Sequence, residues 1–303
     1  MATPQPLQPR DPASKYRPHS GAPPPPPAWL VQSRTAVLAD ENVSPETAHH
    51  CNLPSVALGT LAYQNDPQPI ELAGVWYDDC QLFSHLDTMA EPAKRGVFFH
   101  SYMTSRFLLT QWAEYEVSAR QRLRYSYVQF LHGWGADSNG HAGAILKAWV
   151  ENRFGLPPTY HSGRLPDDPE ACIRYQEDRR RNAAMIPAIM MQLDVLYTFA
   201  QYEMMRRYPC ERWLTLYRGT HDPDEYAIHS SAPGTDTLVR LNNISSFTAD
   251  REVAWEFGSA VWAVRVPVTK IVCFSGLLPP QLLGGESEYL VLGGEYRVTP
   301  LRY

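Results

Sequence analysis

The chain has 303 residues, which is enough for one large domain or two ordinary ones with a substantial core. Its hydrophobic content of 44% is typical of a globular protein. Its net charge of -5 excludes the broad basic surface that nucleic-acid-binding proteins use to neutralise phosphates, so we expect no nucleic-acid partner.

The 5 cysteines are scattered singly, without a C-x-x-C pair, which predicts neither a disulfide framework nor a zinc site. His49, His50 and Cys51 are adjacent, and neighbouring residues rarely point toward one ion, so we predict no metal site there. We find no signal peptide at the N-terminus and no run of about 20 apolar residues to span a bilayer. These features favour a cytoplasmic protein without a membrane span.

Residues 1–28 form a proline-rich segment with the run PPPPP at 23–27. This segment offers little apolar surface for burial, so we predict a disordered tail. We predict that residues 29–303 form one domain. Within it, residues 29–208 are mainly helical and residues 209–303 are β-rich.

Apolar residues recur at helical spacing in the helical portion, as at Phe98, Tyr102 and Leu109. The stretch at 182–208 predicts a long buried helix with a kink at Pro187. The glycine-rich stretch GWGADSNGHAG at 133–143 matches no phosphate-binding motif and is predicted as a turn before a helix.

The run RQRLRYSY at 120–127 carries Arg120, Arg122 and Arg124 beside tyrosines. In an acidic chain this pattern is typical of a solvated helix face, and a docking patch for an acidic protein is the alternative.

After residue 208 the sequence pattern changes to short runs of β-branched and aromatic residues separated by turn residues. One helix is predicted at 249–258. The predicted strands lie at 212–219, 236–242, 260–268, 270–275, 288–292 and 295–301. Helices followed by strands predict an α+β fold in one compact unit.

The stretch GGESEYLVLGGEY at 284–296 places Glu286 and Glu288 two residues apart before an apolar run. If one strand includes both, alternation places their side chains on the same face. Strands seldom pair like charges so closely without a function. An E-x-E pattern on an exposed strand is nevertheless common, so the pair alone is weak support for a site.

In LYRGT at 216–220, Arg218 ends an aromatic strand, and its planar guanidinium suits a pyrophosphate. Gly219 would let a ligand approach the backbone closely. An ordinary salt bridge at the strand end is the alternative.

The stretch NNISSFTADREVAWEFG at 242–258 runs from a polar strand into a helix that Thr248 or Asp250 caps. Hydroxyl groups at such a place can hold a ribose. Capping and turn formation would account for the same residue types equally well.

In this order the three motifs resemble the Arg-Ser-Glu class of mono-ADP-ribosyltransferases. The block at 51–83 and FFHSYMTSRFLL at 98–109 are similar to the NAD-dependent dinitrogenase reductase ADP-ribosyltransferases of nitrogen-fixing bacteria. The resemblance implies a helical portion packed on a β-rich core built as a two-sheet split β-sandwich. It also implies an enzyme that moves ADP-ribose from NAD to an arginine of the nitrogenase iron protein and so inactivates nitrogenase reversibly. A nitrogen-signalling protein of the PII type is the regulator that the resemblance suggests.

The resemblance further implies that Arg218, beside Gly219, binds the NAD diphosphate. Ser246, with Ser245 and Thr248, would hold the ribose. The family pattern S-T-S is SSFT here, so Ser245 and Ser246 both remain candidates for the leading position. We favour Ser246, because SFT then places polar groups on one strand face.

Glu288 would stabilise the positive charge that develops as nicotinamide leaves, and Glu286 would orient the target arginine and accept its proton. No metal is implied in the catalytic site. Two alternatives stay open: a transferase or NAD glycohydrolase with another target, and an NAD-binding regulatory module without catalysis.

Overall fold

The computed structural model describes residues 50–109, 126–181, 183–223, 226–229, 236–282 and 287–301. The predictions made for the proline-rich segment, for the arginine run at 120–124, for His49 and for Glu286 fall outside these described residues.

Helices dominate the described chain up to residue 207. They are α1 (Ser55–Leu58), α2 (Leu61–Asn65), α3 (Val75–Asp78), α4 (Cys80–Asp87), α5 (Pro92–Arg106), α6 (Tyr127–Ala136), α7 (His141–Phe154), α8 (Pro169–Arg180) and α9 (Ile186–Arg207). One more helix, α10 (Arg251–Glu256), lies among the strands. The turn predicted before a helix at 133–143 is confirmed, because α6 ends at Ala136 and α7 begins at His141.

Six described strands follow the helices and form one sheet in the order β2-β3-β1-β4-β6-β5. They are β1 (Trp213–Thr220), β2 (Ala227–His229), β3 (Thr237–Thr248), β4 (Ala260–Pro267), β5 (Ile271–Phe274) and β6 (Glu288–Leu301). Every pairing is antiparallel. Helices followed by an antiparallel sheet confirm the α+β prediction.

The sheet differs from the split arrangement that the resemblance implies. The long strands β3 and β6 also pair with each other over most of their length. Hydrogen bonding is therefore continuous between the group β2-β3-β1 and the group β4-β6-β5. β3 pairs with β2 near its start and with β1 at its end. The described strands therefore form one connected sheet, in which β3 and β6 belong to both groups.

The two strands predicted at 288–292 and 295–301 are a single strand, β6, that runs through the glycine pair. A Cβ on Gly293 would lie 1.7 Å from the Asn242 carbonyl oxygen. Gly294 has φ 109°, a backbone conformation that favours glycine. It also packs against the backbone of Gly59. The glycines thus permit close backbone approach and do not end the strand.

Glu295 lies inside β6. Its carboxylate accepts hydrogen bonds from the Arg240 guanidinium and the Leu61 backbone N–H. The bond from Arg240 holds the pKa of the Glu295 carboxyl below its ordinary value. Glu295 therefore connects the sheet to α2.

The long helix predicted at 182–208 is α9, but it has no kink at Pro187. Pro187 lies in the first turn, where a missing backbone N–H costs nothing, so the helix begins at Ile186. By length and composition alone, the helical stretch Ala183–Arg207 is a candidate membrane span among the described residues, and 61% of its apolar window is buried in the protein. Gln201 Nε2 donates to the Ile271 carbonyl of β5 at 2.7 Å. Packing in the core thus accounts for the apolar character of α9.

Two asparagines in β3 join the sheet to the helical portion. Asn243 Nδ2 donates to the carbonyl oxygens of Lys147 at 2.8 Å and Leu156 at 2.9 Å. Asn242 Oδ1 accepts from the Thr159 N–H at 2.9 Å. These bonds fix the end of α7 and the following loop against β3.

Lys270 is a fully buried lysine between the sheet and α2. Its ammonium donates to the Gly293 carbonyl at 2.9 Å and lies 4.7 Å from the centre of the Tyr296 ring. Burial lowers the pKa of Lys270 from an ordinary 10.5 to about 7.

This pKa shift predicts how stability depends on pH. Between pH 7 and pH 10.5 the unfolded chain keeps the Lys270 proton that the folded chain releases. Because of Lys270, the free energy of unfolding increases as pH rises through this range, by at most about 1.4 kcal/mol per pH unit. We expect Lys270→Met to lose stability relative to the parent protein as pH rises from 7 to 9.5, measured by urea unfolding.

Lys94→Met, at an exposed lysine paired with Glu91, is the control, and its free energy of unfolding should differ from that of the parent protein by the same amount at each pH. Parallel pH dependences for the two variants would contradict the assignment.

Gly219 in β1 makes room for α10. A Cβ there would lie 2.1 Å from the Ala254 carbonyl oxygen and 2.9 Å from the Phe257 carbonyl carbon. We expect Gly219→Ala to displace α10 and to lower the free energy of unfolding by about 1–3 kcal/mol, the usual cost of overpacking. Gly135→Ala is the control, because nothing lies within 4 Å of its Cβ. That substitution in α6 should be neutral or stabilising by about 0.5–1 kcal/mol. Similar losses for both variants in thermal or urea unfolding would exclude a packing role for Gly219.

Candidate active site

A cleft with a volume of about 1190 Å³ lies between α6 with its following turn and the strands β1 and β3. Small-molecule sites usually have volumes of about 300–1,000 Å³, so a ligand as long as a dinucleotide fits this cleft. All the described site residues predicted from the sequence line it: Arg218, Gly219, Ser245, Ser246, Thr248 and Glu288. The fold therefore brings the three separate motifs together.

Ser246 and Glu288 are in direct contact. The Ser246 hydroxyl donates to Glu288 Oε1 at 2.7 Å. The β3–β6 ladder pairs Thr248 with Glu288 and Ser246 with Leu290, so Ser246 is the diagonal neighbour of Glu288 on the same sheet face. Glu288 is half-buried at the start of β6, with its carboxylate held by a neutral hydroxyl.

The neighbouring Ser245 has a different environment. It is buried on the opposite face of β3, and its hydroxyl donates to the Asn242 carbonyl at 3.4 Å. Of the two serines, Ser246 is the one whose hydroxyl contacts Glu288.

Arg218 extends from β1 to the same place. Its Nη1 donates to the Ser246 carbonyl at 2.7 Å, and its guanidinium lies 6.0 Å from the ring centres of Tyr226 and Phe247. Its Nε is buried and has no hydrogen-bond partner among the described residues. No described carboxylate pairs with Arg218, so the described part of the chain does not contain the salt bridge that was the alternative. A half-buried arginine beside a cleft, with a buried Nε–H that has no partner among the described residues, fits an anionic ligand such as a diphosphate.

Gly219 and Thr248 support the helix α10 at the edge of the cleft. The backbone of α10 and of its C-terminal end approaches Gly219 closely, and the expected approach of a ligand to Gly219 stays a prediction. Thr248 Oγ1 accepts from the Asp250 N–H, and the Asp250 side chain caps the helix through the Glu252 N–H. Of the two predicted caps, Asp250 is therefore the N-cap.

The strand that carries Glu288 does not extend back toward Glu286. Ser287 has φ 53°, in the left-handed region, so the extended conformation begins at Glu288. The expectation that Glu286 and Glu288 share a strand face stays a prediction. Glu286 itself lies outside the described residues.

The helical wall of the cleft contains residues that the sequence did not identify. Trp134 in α6 donates its indole N–H to the Ser246 hydroxyl at 2.9 Å. Lys147 in α7 is buried, and its ammonium lies near Asn139 Oδ1 at 3.3 Å and His161 Nδ1 at 3.2 Å. Burial lowers the pKa of Lys147 to about 8. The available sequence signal was a lysine inside the apolar run AILKAWV, since a buried lysine often marks a site.

Across the part of the chain that the structure describes, no group of three or more His, Cys, Asp and Glu side chains is arranged to hold a metal ion. The polar residues that line the cleft carry hydroxyl, indole, guanidinium, ammonium, imidazole, amide and carboxylate groups, which can bind the phosphate and sugar groups of a nucleotide.

Comparison with known proteins gives one family for this arrangement. The family model described as dinitrogenase reductase ADP-ribosyltransferase (DRAT) matches residues 48–300. The chain is 37% identical over 263 residues to the NAD(+)–dinitrogen-reductase ADP-D-ribosyltransferase of Rhodospirillum rubrum. The aligned region covers 84% of this chain and 95% of the relative. No solved structure gives a significant match. By this match, over most of its length, the chain belongs to the dinitrogenase reductase ADP-ribosyltransferase family.

Proposed function

We propose that this protein transfers ADP-ribose from NAD to an arginine of the nitrogenase iron protein, dinitrogenase reductase, and so inactivates nitrogenase reversibly. The observation that carries the proposal is the convergence of Arg218, Ser246 and Glu288 in one cleft of a family member. The name of the Rhodospirillum rubrum relative supports both NAD and dinitrogen reductase as its substrates.

In this proposal Arg218 binds the NAD diphosphate through its guanidinium, whose Nε–H has no partner among the described residues. Ser246 and Thr248 lie on the side of β3 that faces Glu288 and hold the ribose, while Ser245 supports the strand from the opposite face. NAD is thus a substrate held in the cleft between α6 and the strands β1 and β3.

Glu288 stabilises the positive charge that develops on the nicotinamide ribose as the bond from its C1′ to the nicotinamide nitrogen breaks. The electron pair of that bond leaves with nicotinamide. Glu286 orients the target guanidinium and accepts one of its protons, because a protonated guanidinium is a poor nucleophile. A guanidinium nitrogen then forms the new bond to C1′. The product is an arginine carrying an N-glycosidic ADP-ribose.

We further propose that residues 1–28 are a tail outside the catalytic domain of residues 29–303 and that the NAD-binding core lies at 209–303. A cytoplasmic location and control by a PII-type signal protein complete the proposal. The arginine run at 120–124 and the proline-rich segment are the candidate contacts for that regulator.

The first test is transfer of labelled ADP-ribose from NAD to purified iron protein. We expect labelling by the parent protein, and a loss of about 10²–10³-fold in Glu288→Gln, which removes the charge that faces the reacting ribose. Glu295→Gln is the matched control, since this glutamate lies in the same strand and pairs with Arg240.

Labelling that persists in Glu288→Gln would exclude the assigned chemistry. Labelling of another protein in a cell extract, with none of the iron protein, would assign a different target. Nicotinamide release without any labelled protein would identify an NAD glycohydrolase, and NAD binding in calorimetry without turnover would identify a regulatory module.

The second test separates the two glutamates. We expect Glu286→Gln to suppress transfer to the iron protein while NAD hydrolysis, measured as nicotinamide release, continues, because Glu286 acts on the acceptor and not on NAD. Equal losses of transfer and hydrolysis in Glu286→Gln would contradict its role at the target arginine.

A further inference from the structure

Trp134 connects the helical wall of the cleft to Ser246 and Glu288. It lies in α6 and is 6% exposed. Its indole N–H donates to Ser246 Oγ at 2.9 Å, and the same oxygen donates its own proton to Glu288 Oε1 at 2.7 Å. The three side chains therefore form one linear chain of hydrogen bonds.

The direction of this chain follows from the donor and acceptor groups. An indole nitrogen can only donate a hydrogen bond, a serine hydroxyl has one proton, and a carboxylate only accepts. Because Ser246 accepts from Trp134, its single proton is left for Glu288. Without the indole donor, the Ser246 oxygen would keep its bond to Glu288 and lose the contact that holds it from the helical wall.

We propose that Trp134 is a positioning residue for the transfer reaction, which holds the Ser246 hydroxyl as a donor to Glu288 and thereby fixes the orientation of that carboxylate. The inference rests on the proposed function, since it assigns Glu288 to the reacting ribose. Trp134 acts through Ser246 and contacts no reacting atom in this assignment.

Trp134 is also in contact with Lys147 of α7. The ammonium of Lys147 lies 6.0 Å from the centre of its ring, beside Asn139 and His161. The Lys147 carbonyl accepts from Asn243 in β3, so α7 is fixed to the strand that carries Ser246. The distance from the helical wall to Ser246 is thus set by the packing of α7 on β3.

The expected kinetic effect is on kcat. An interaction that orients Glu288 contributes mainly when positive charge develops on the ribose, so its loss slows the reaction without weakening NAD binding. Loss of a hydrogen bond in a chain that ends at a carboxylate lowers rates by about 10-fold or more.

The test begins with Trp134→Phe, which keeps an aromatic ring and removes the N–H. We expect kcat for transfer to fall about 10-fold while the KM for NAD stays within about twofold. Trp213→Phe is the matched control, because its indole donates to the Gln64 carbonyl at 2.7 Å, away from the cleft, and it should keep the parent kcat. If Trp134→Phe does not fold, as shown by circular dichroism, 3-benzothienylalanine at position 134 keeps the bicyclic shape and replaces the N–H with sulfur.

A double-mutant cycle decides whether Trp134 acts through Ser246. In the Ser246→Ala background we expect the loss of the indole N–H to cause no further decrease in kcat beyond about twofold. The same fold-decrease with and without the serine hydroxyl would overturn the inference, as would a change confined to KM. Full transfer by Glu288→Gln would instead refute the proposed function. Loss of transfer in Glu288→Gln together with parent kcat in both Trp134 variants would refute only the positioning role.

Discussion

The pairing of β3 with β6 determines where the polar groups of the cleft lie. One extra residue in β3, at Asn242–Asn243, faces Gly293 of β6 and shifts the register of the ladder. Beyond this bulge Thr248 pairs with Glu288, which makes Ser246 the diagonal neighbour of that carboxylate. Without the extra residue Glu288 would pair with Phe247, and the face of Glu288 would carry Ser245 instead. A single inserted residue thus decides which serine contacts the glutamate.

The same bulge connects the sheet to the helices. The side chain of Asn243 donates to two carbonyl oxygens of the helical portion, those of Lys147 and Leu156. Bulged residues lack regular ladder partners, so their side chains can serve as bridges at little cost to the sheet. Because Lys147 lies beside Trp134, the bulge also sets the distance between the helical wall and Ser246. The bulge in β3 therefore positions both the strand wall and the helical wall of the cleft.

Local sequence patterns predicted the order of helices and strands, because residue type and periodicity carry that information. The choice of Arg218, Ser246 and Glu288 depended on the resemblance of the three motifs to a known family. Patterns failed where a distant backbone decides the outcome. The glycine pair at 293–294 is typical of a turn in isolation, yet it lies within β6 because Asn242 and Gly59 pack against it. Pro187 was predicted to kink a helix, and only the position of the helix start shows that it lies in the first turn.

Contacts between distant residues were also beyond local patterns. Trp134 and Ser246 are separated by 112 positions, and no motif of either segment indicates that they meet. The sequence left both Ser245 and Ser246 as candidates, although it favoured Ser246, since the bulge that reverses the alternation depends on pairing with β6. A sequence therefore identifies the chemical groups of such a cleft more readily than the hydrogen bonds that orient them.

The choice of partner for Glu288 matters for the proposed chemistry. Among the described residues Glu288 makes no ion pair, although the cations of Arg218 and Lys147 lie in the same cleft. In the described structure the neutral hydroxyl of Ser246 donates to Glu288 and accepts from the neutral indole of Trp134. An arginine in that place would neutralise the carboxylate before the reaction begins. Orientation by neutral donors instead leaves the negative charge available for the positive charge that develops on the ribose, where it stabilises the transition state more than the bound substrate.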